Sequence, residues 1–225
     1  GKYGKTLTII LVIAIIVIVG ILSFIGFEAI KKRNNDKDAL AKIEEFDRVV
    51  ADKPSPEPTS TPPVDVVNPD IDGNTSAIIG SNEVSSSGKK VTYKGYEMKG
   101  YIEIPKTKIK YPILNNVSKK SLETSVAILY PMNAKLNEPG NTVIVGHNYR
   151  NGMFFSNNKK LSAGDKIYIT DEQGRKLTYV VYDNFEAAAE DTSFYTRDTA
   201  GVAEITLSTC TTDNSKRTII LAKVE

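Results

Sequence analysis

The sequence of 225 residues has one cysteine, one histidine and no tryptophan, and the first two shortages each remove a class of chemistry. A lone thiol cannot close a disulfide within the chain, so an extracellular location would leave Cys210 free and reactive. One cysteine and one histidine cannot furnish a zinc cage either, because zinc takes about three or four clustered Cys, His or carboxylate ligands. No metal and no cofactor are therefore expected. Excess charge of one sign is missing too: 29 Lys and Arg against 27 Asp and Glu leave +2, which excludes a strongly basic nucleic-acid surface.

Long apolar runs are absent outside one segment. Residues Leu7 to Phe27, "LTIILVIAIIVIVGILSFIGF", carry no charged side chain, and at helical rise they cross a hydrocarbon core of about 30 Å. A cleaved signal peptide has a shorter apolar region, about 7 to 15 residues, followed by a small-residue cleavage site. "FIGFEAIKKR" offers no such site, so a membrane helix is expected. Its flanking charges, Lys2 and Lys5 before and Lys31, Lys32 and Arg33 after, taken alone would place the rest of the chain in the cytoplasm. An opening Gly leaves room for basic residues upstream, and large domains translocate largely regardless of loop charge.

Beyond the span, Ala39, Leu40, Ile43, Phe46, Val49 and Val50 recur at helical spacing, predicting a short amphipathic helix over 36–51. The stretch "DKPSPEPTSTPPVDVVNPDIDGNTS" then holds six of the ten prolines; it has little apolar surface to bury and reads as an extended spacer. The expected organisation is an anchor over 1–30, a helix and Pro-rich linker over 31–88, and a head over 89–225.

The head consists of short apolar runs between turn signals. Strands are predicted at 100–105, 109–114, 127–130, 141–146, 166–170, 176–185, 204–209 and 217–224. "DEQGR" reads as a hairpin loop and "SKKSLETS" as one or two helical turns. So many short strands with little helix predict a mostly β fold, a closed or nearly closed eight-stranded barrel.

Along "EITLSTC" the strand period puts Ile205, Leu207 and Thr209 on one face and Thr206, Ser208 and Cys210 on the other. A cysteine that filled the core would share the parity of Ile205 and Leu207, and Cys210 does not. The loop "TTDNSK" suits an antiparallel hairpin, which sets the Cα atoms of Cys210 and Arg217 roughly 5 Å apart if the two residues pair. A solvated arginine closing the strand is the plainer alternative for Arg217. His147 follows the apolar run "NTVIVG" directly, and a sole histidine taken alone is more often a surface or satisfied polar residue than a catalyst. Yet a thiol with a pKa near about 8.5 is mostly protonated at neutral pH, and an imidazole and a cation are the partners that raise its reactivity.

"TLSTC" at 206–210, Arg217 at the start of the final strand and "VIVGHN" at 143–148 together resemble the signature of sortases, the membrane-anchored cysteine transpeptidases of Gram-positive bacteria. "IEIPKTKIKYPIL" resembles the opening strands of their eight-stranded barrel, so the similarity runs from about Tyr96 to Glu225. The resemblance implies Cys210 as nucleophile, His147 as general acid and base, and Arg217 as donor to the oxyanion or substrate backbone. It places Ser208, Thr209 and Asn148 beside the substrate. It also implies an LPXTG-like sorting signal on secreted proteins as the first substrate, an amine of a cell-wall precursor as the second, and a single-pass protein with its head outside the cell.

Pilin-polymerising sortases commonly carry an Asp-Pro-aromatic lid and a second span. "VNPDIDG" has no aromatic after its proline and the chain ends in the last strand, so wall attachment is the expectation. The wording of "TLSTC" and "YPI" leans toward class B, while the compact segment 186–203 leans toward classes A or D. Glu186, Glu190 and Asp191 invite a calcium reading, but a solvated acidic turn is the expectation, since calcium takes about six or more oxygens and the spacing matches no calcium-loop motif. Three rivals stay open: a cysteine peptidase with the same dyad, a pilin-polymerising sortase, and a catalytically silent surface module.

Overall fold

The computed structural model describes residues 1–52 and 90–225. The Pro-rich spacer expected after Asp52 lies outside the described residues.

The chain opens with one helix, α1 (Lys2–Ala51), of 50 residues. The expected anchor and amphipathic helix are thus a single continuous rod. No proline precedes Pro54, and the charged stretch "EAIKKRNND" consists largely of residues that tolerate or favour helix. Charge changes which solvent suits a helix face without breaking the backbone ladder. The first half is exposed and apolar, long enough to cross a membrane. The second half buries Ala39, Ile43 and Phe46 against the head, where Phe46 meets Tyr101 edge-on at 6.1 Å.

The head is a barrel. After the two-residue β1 (Thr92–Tyr93) come β2 (Tyr96–Ile104), β3 (Ile109–Leu114), β4 (Val126–Tyr130), β5 (Gly140–Val145), β6 (Lys166–Asp171), β7 (Lys176–Ala188), β8 (Ala203–Cys210) and β9 (Lys216–Val224). The sheet order is β1-β2-β3-β4-β5-β8-β9-β7-β6, and a further pairing of β2 with β6 closes eight strands on themselves. Each expected strand is present, and β3 has the predicted bounds. Inward residues Ile102, Ile104, Tyr111, Ile144, Ile205, Leu207 and Ile220 form one core cluster, alternating with outward residues as a closed barrel requires. The helical turns become α2 (Lys119–Thr124), capped reciprocally by Ser118 and Ser121. Segment 189–202 forms turns without a helix.

Two pairings bring distant parts of the sequence to one rim. β5 runs parallel to β8 with Val145 opposite Ser208, so whatever follows β5 emerges beside the end of β8. β8 runs antiparallel to β9 with Cys210 opposite Arg217. At the exit of β5 a Cβ on Gly146 would stand 2.8 Å from Val126 and 2.9 Å from Phe155, which leaves room for glycine alone.

Candidate active site

Cys210 ends β8 on the face opposite Leu207, half-buried and unpaired to any other cysteine. Arg217, the second residue of β9, lies directly across the ladder, and its Nη1 donates to Cys210 Sγ at 2.6 Å. The hairpin loop between them is tied by Asp213, which accepts from Thr211 Oγ1 at 2.6 Å, Ser215 Oγ at 2.8 Å and the Ser215 amide at 3.1 Å. Those donors hold its carboxyl down to about 2. The backbone under the Cys210–Arg217 pair is therefore set by local hydrogen bonds as well as by strand register.

His147 lies just beyond β5. It lines the same cavity as Cys210, Arg217, Ser208 and Thr209, a space of about 370 Å³. Burial pushes the imidazole below the ordinary histidine value, opposed by the carboxylate of Glu123. The ring packs at 5.0 Å from Tyr149, which in turn meets Phe154 at 5.7 Å. Phe154 is almost wholly buried against Tyr111. The loop after β5 is thus wedged into the barrel by aromatic contacts.

Asn148 stands apart from the other expected substrate-side residues. Its Nδ2 donates to the Cys210 carbonyl at 2.9 Å, and its Oδ1 accepts from the Arg150 amide at 3.2 Å. It lines a neighbouring cavity of about 470 Å³ together with Thr209. Its side chain links the histidine loop to the end of β8. Thr209, 4 % exposed, keeps its hydroxyl buried without a partner, whereas Ser208 shares the outward parity of Cys210.

Phe194 and Tyr195, which the sequence reading passed over, form one wall of the first cavity. Asn141 Nδ2 donates to both of their carbonyls, at 3.3 and 3.0 Å. Arg197 adds a bond to the Phe194 carbonyl and one to Thr206 Oγ1, both at 2.8 Å. Thr206 in turn donates to Asn141 Oδ1 at 2.9 Å. A polar network on β5 and β8 thereby straps an irregular segment over the site. Loops have no hydrophobic period, so the adjacent aromatics of "SFYT" were the one available signal.

Among the described residues no group of three or more His, Cys, Asp or Glu side chains is placed to hold a metal. Glu186 instead faces Lys216 at 3.5 Å, and Asp191 accepts from the Ser193 amide at 2.9 Å.

A family model described as the sortase domain matches residues 102–225. Sortase A of Bacillus anthracis is 32% identical over 124 residues, which is 54% of this chain and 57% of that relative, so the chain spans little more than half of its length. Among solved structures, sortase A from Corynebacterium diphtheriae matches with a TM-score of 0.52 at 30% identity, over 58% of this chain and 61% of that one. A sortase D5 transpeptidase from Clostridium perfringens gives 0.51 at 28% identity, over 57% and 79%.

Proposed function

Because this chain belongs to the sortase family of cysteine transpeptidases, we propose that it cuts an LPXTG-like sorting signal and joins the new C-terminus to an amine of the cell wall. Cys210 is the nucleophile, His147 the acid and base, and Arg217 the electrostatic partner. The observation that carries this reading is the 2.6 Å bond from Arg217 to Cys210 Sγ, made in a cavity that His147 also lines.

The chemistry follows from those positions. Sulfur attacks the carbonyl carbon of the signal's threonine, and the tetrahedral oxyanion takes a hydrogen bond from Arg217, whose planar guanidinium is a permanent donor. The C–N bond to glycine breaks as the His147 imidazolium gives its proton to the departing amine. A thioester remains on Cys210. An incoming amine then attacks that carbonyl, His147 removes its proton, and the C–S bond breaks to release the new amide and the thiolate. Ser208 and Thr209 line the substrate side, and Asn148 positions the end of β8 relative to the histidine loop. The catalytic unit is the segment 89–225, with the second half of α1 docked on it. The apolar half of α1 anchors it, with the head outside the cell.

A sorting-signal peptide supplied with and without triglycine tests the transpeptidation. Incorporation of triglycine into the product and faster turnover in its presence are expected; water as sole acceptor would assign the chain to the peptidases. Cys210→Ala should abolish both reactions, which a silent surface module would not reflect. Arg217→Ala should lower kcat by roughly 100-fold or more, as removal of an oxyanion donor does elsewhere, and Arg217→Lys should recover part of that loss.

A further inference from the structure

The three consecutive cations after the membrane span, Lys31, Lys32 and Arg33, run against an external head by the usual count of flanking charge. Nothing in the transpeptidase chemistry uses them. In the fold they line a cavity of about 960 Å³ between α1 and the loop that carries His147. Phe24 and Ile25, from the end of the apolar run, form one part of its wall, and Lys31, Arg33, Lys37 and Arg150 ring another.

The charge balance in this cavity is positive. Lys32 is matched by Asp36, with which it pairs within α1. Glu28 accepts from Asn151 Nδ2 at 2.7 Å. Arg33, Lys37 and Arg150 make no ion pair among the described residues and are exposed, while Lys31 lies 5.8 Å over the Tyr149 ring. Cations that converge at the end of a span, beside apolar wall, match an anionic lipid: phosphate against the guanidinium and ammonium groups, acyl chain along Phe24 and Ile25.

We infer that this cavity binds the phosphate headgroup of an anionic membrane lipid, held between α1 and the β5–β6 loop. The inference rests on α1 as a membrane anchor and not on the transpeptidase reading. It accounts for cations that would otherwise oppose export of the head. It also gives the headgroup a route to the active site, because Tyr149 and Arg150 closely follow His147 in the β5–β6 loop and the Tyr149 ring packs on the imidazole.

The test uses the full chain in nanodiscs of phosphatidylcholine containing a minority of phosphatidylglycerol, followed by extraction and native mass spectrometry of the lipid that stays bound. Phosphatidylglycerol should be enriched over phosphatidylcholine. A cation near an anionic surface contributes roughly fivefold to binding, so Arg150→Gln should weaken retention about fivefold and Arg33→Gln with Lys37→Gln about 30-fold. Lys120→Gln, the same charge change at a position outside the cavity, should match wild type. Equal retention of the two lipids overturns the inference. So does an Arg150→Gln variant indistinguishable from Lys120→Gln, which would reduce the effect to the basic surface of the helix. Displacement of the lipid by free glycerol phosphate at equal concentration overturns it as well, by assigning the site to a soluble anion. A chain that fails to insert even into pure phosphatidylcholine discs overturns the anchor itself, whereas the peptide and triglycine assay reports separately on the chemistry.

Discussion

His147 is pulled in two directions. Burial in the cavity wall disfavours its charged form, while Glu123 favours it, and burial is the larger effect. The folded imidazole therefore titrates below its unfolded counterpart, whose value is about 6.5. Its contribution to stability is complete above that value and is lost as pH falls through the lowered folded one. Because the chain has one histidine, its imidazole C–H signals in NMR are unambiguous. Their midpoint should fall below that of a peptide histidine, and Glu123→Gln should move it further down, an effect that salt weakens because Glu123 is exposed. A midpoint at or above the peptide value would mean that burial does not dominate. At this scale much was legible beforehand: uniqueness singled out Cys210 and His147, and strand parity turned the thiol away from the core. The bond from Asn148 to the Cys210 carbonyl was not, because a side chain reaching across 62 residues leaves no local pattern.

Among the elements, the strands were legible and the long helix only in halves. Alternation marks β3 and β8 well because each has one face in the barrel. β7 runs to Ala188, three residues past the predicted end, since its pairing with β9 continues as far as Lys216. α1 divides in a sequence reading because its solvent changes midway from lipid to water, while its backbone does not change at all. Docking of its second half rests on Ala39, Ile43 and Phe46, with Asp47 accepting from the Tyr101 hydroxyl at 3.5 Å and Asp36 bonding to the Tyr111 hydroxyl. Phe46→Ala removes a ring that is 2 % exposed, a loss of about 3 to 5 kcal/mol where the site cannot collapse. Amide hydrogen exchange over 36–51 should then quicken by about 100-fold or more, with β8 and β9 unchanged. Equal loss of protection in those strands would show that the helix is part of the barrel's cooperative unit and not a docked strut.

For the whole molecule the proposal of a head outside the cell meets its sharpest test in the flanking charge, since Lys31, Lys32 and Arg33 follow the span. The headgroup cavity weakens the argument from charge, because cations that hold a lipid phosphate serve equally on either leaflet. Cys210 supplies the means to decide. It is the one cysteine in the chain and half-exposed at the rim of its cavity, and a charged maleimide does not cross a bilayer. On intact cells such a reagent should label the wild-type protein and leave Cys210→Ala unlabelled, with the extent of labelling unchanged when the cells are broken. Labelling that requires breaking the cells would place the head in the cytoplasm, where no cell-wall amine is within reach. It would also return the cations of Lys31 to Arg33 to their ordinary role in setting topology. The single thiol that excludes a disulfide within the chain thus reports on the compartment of the head.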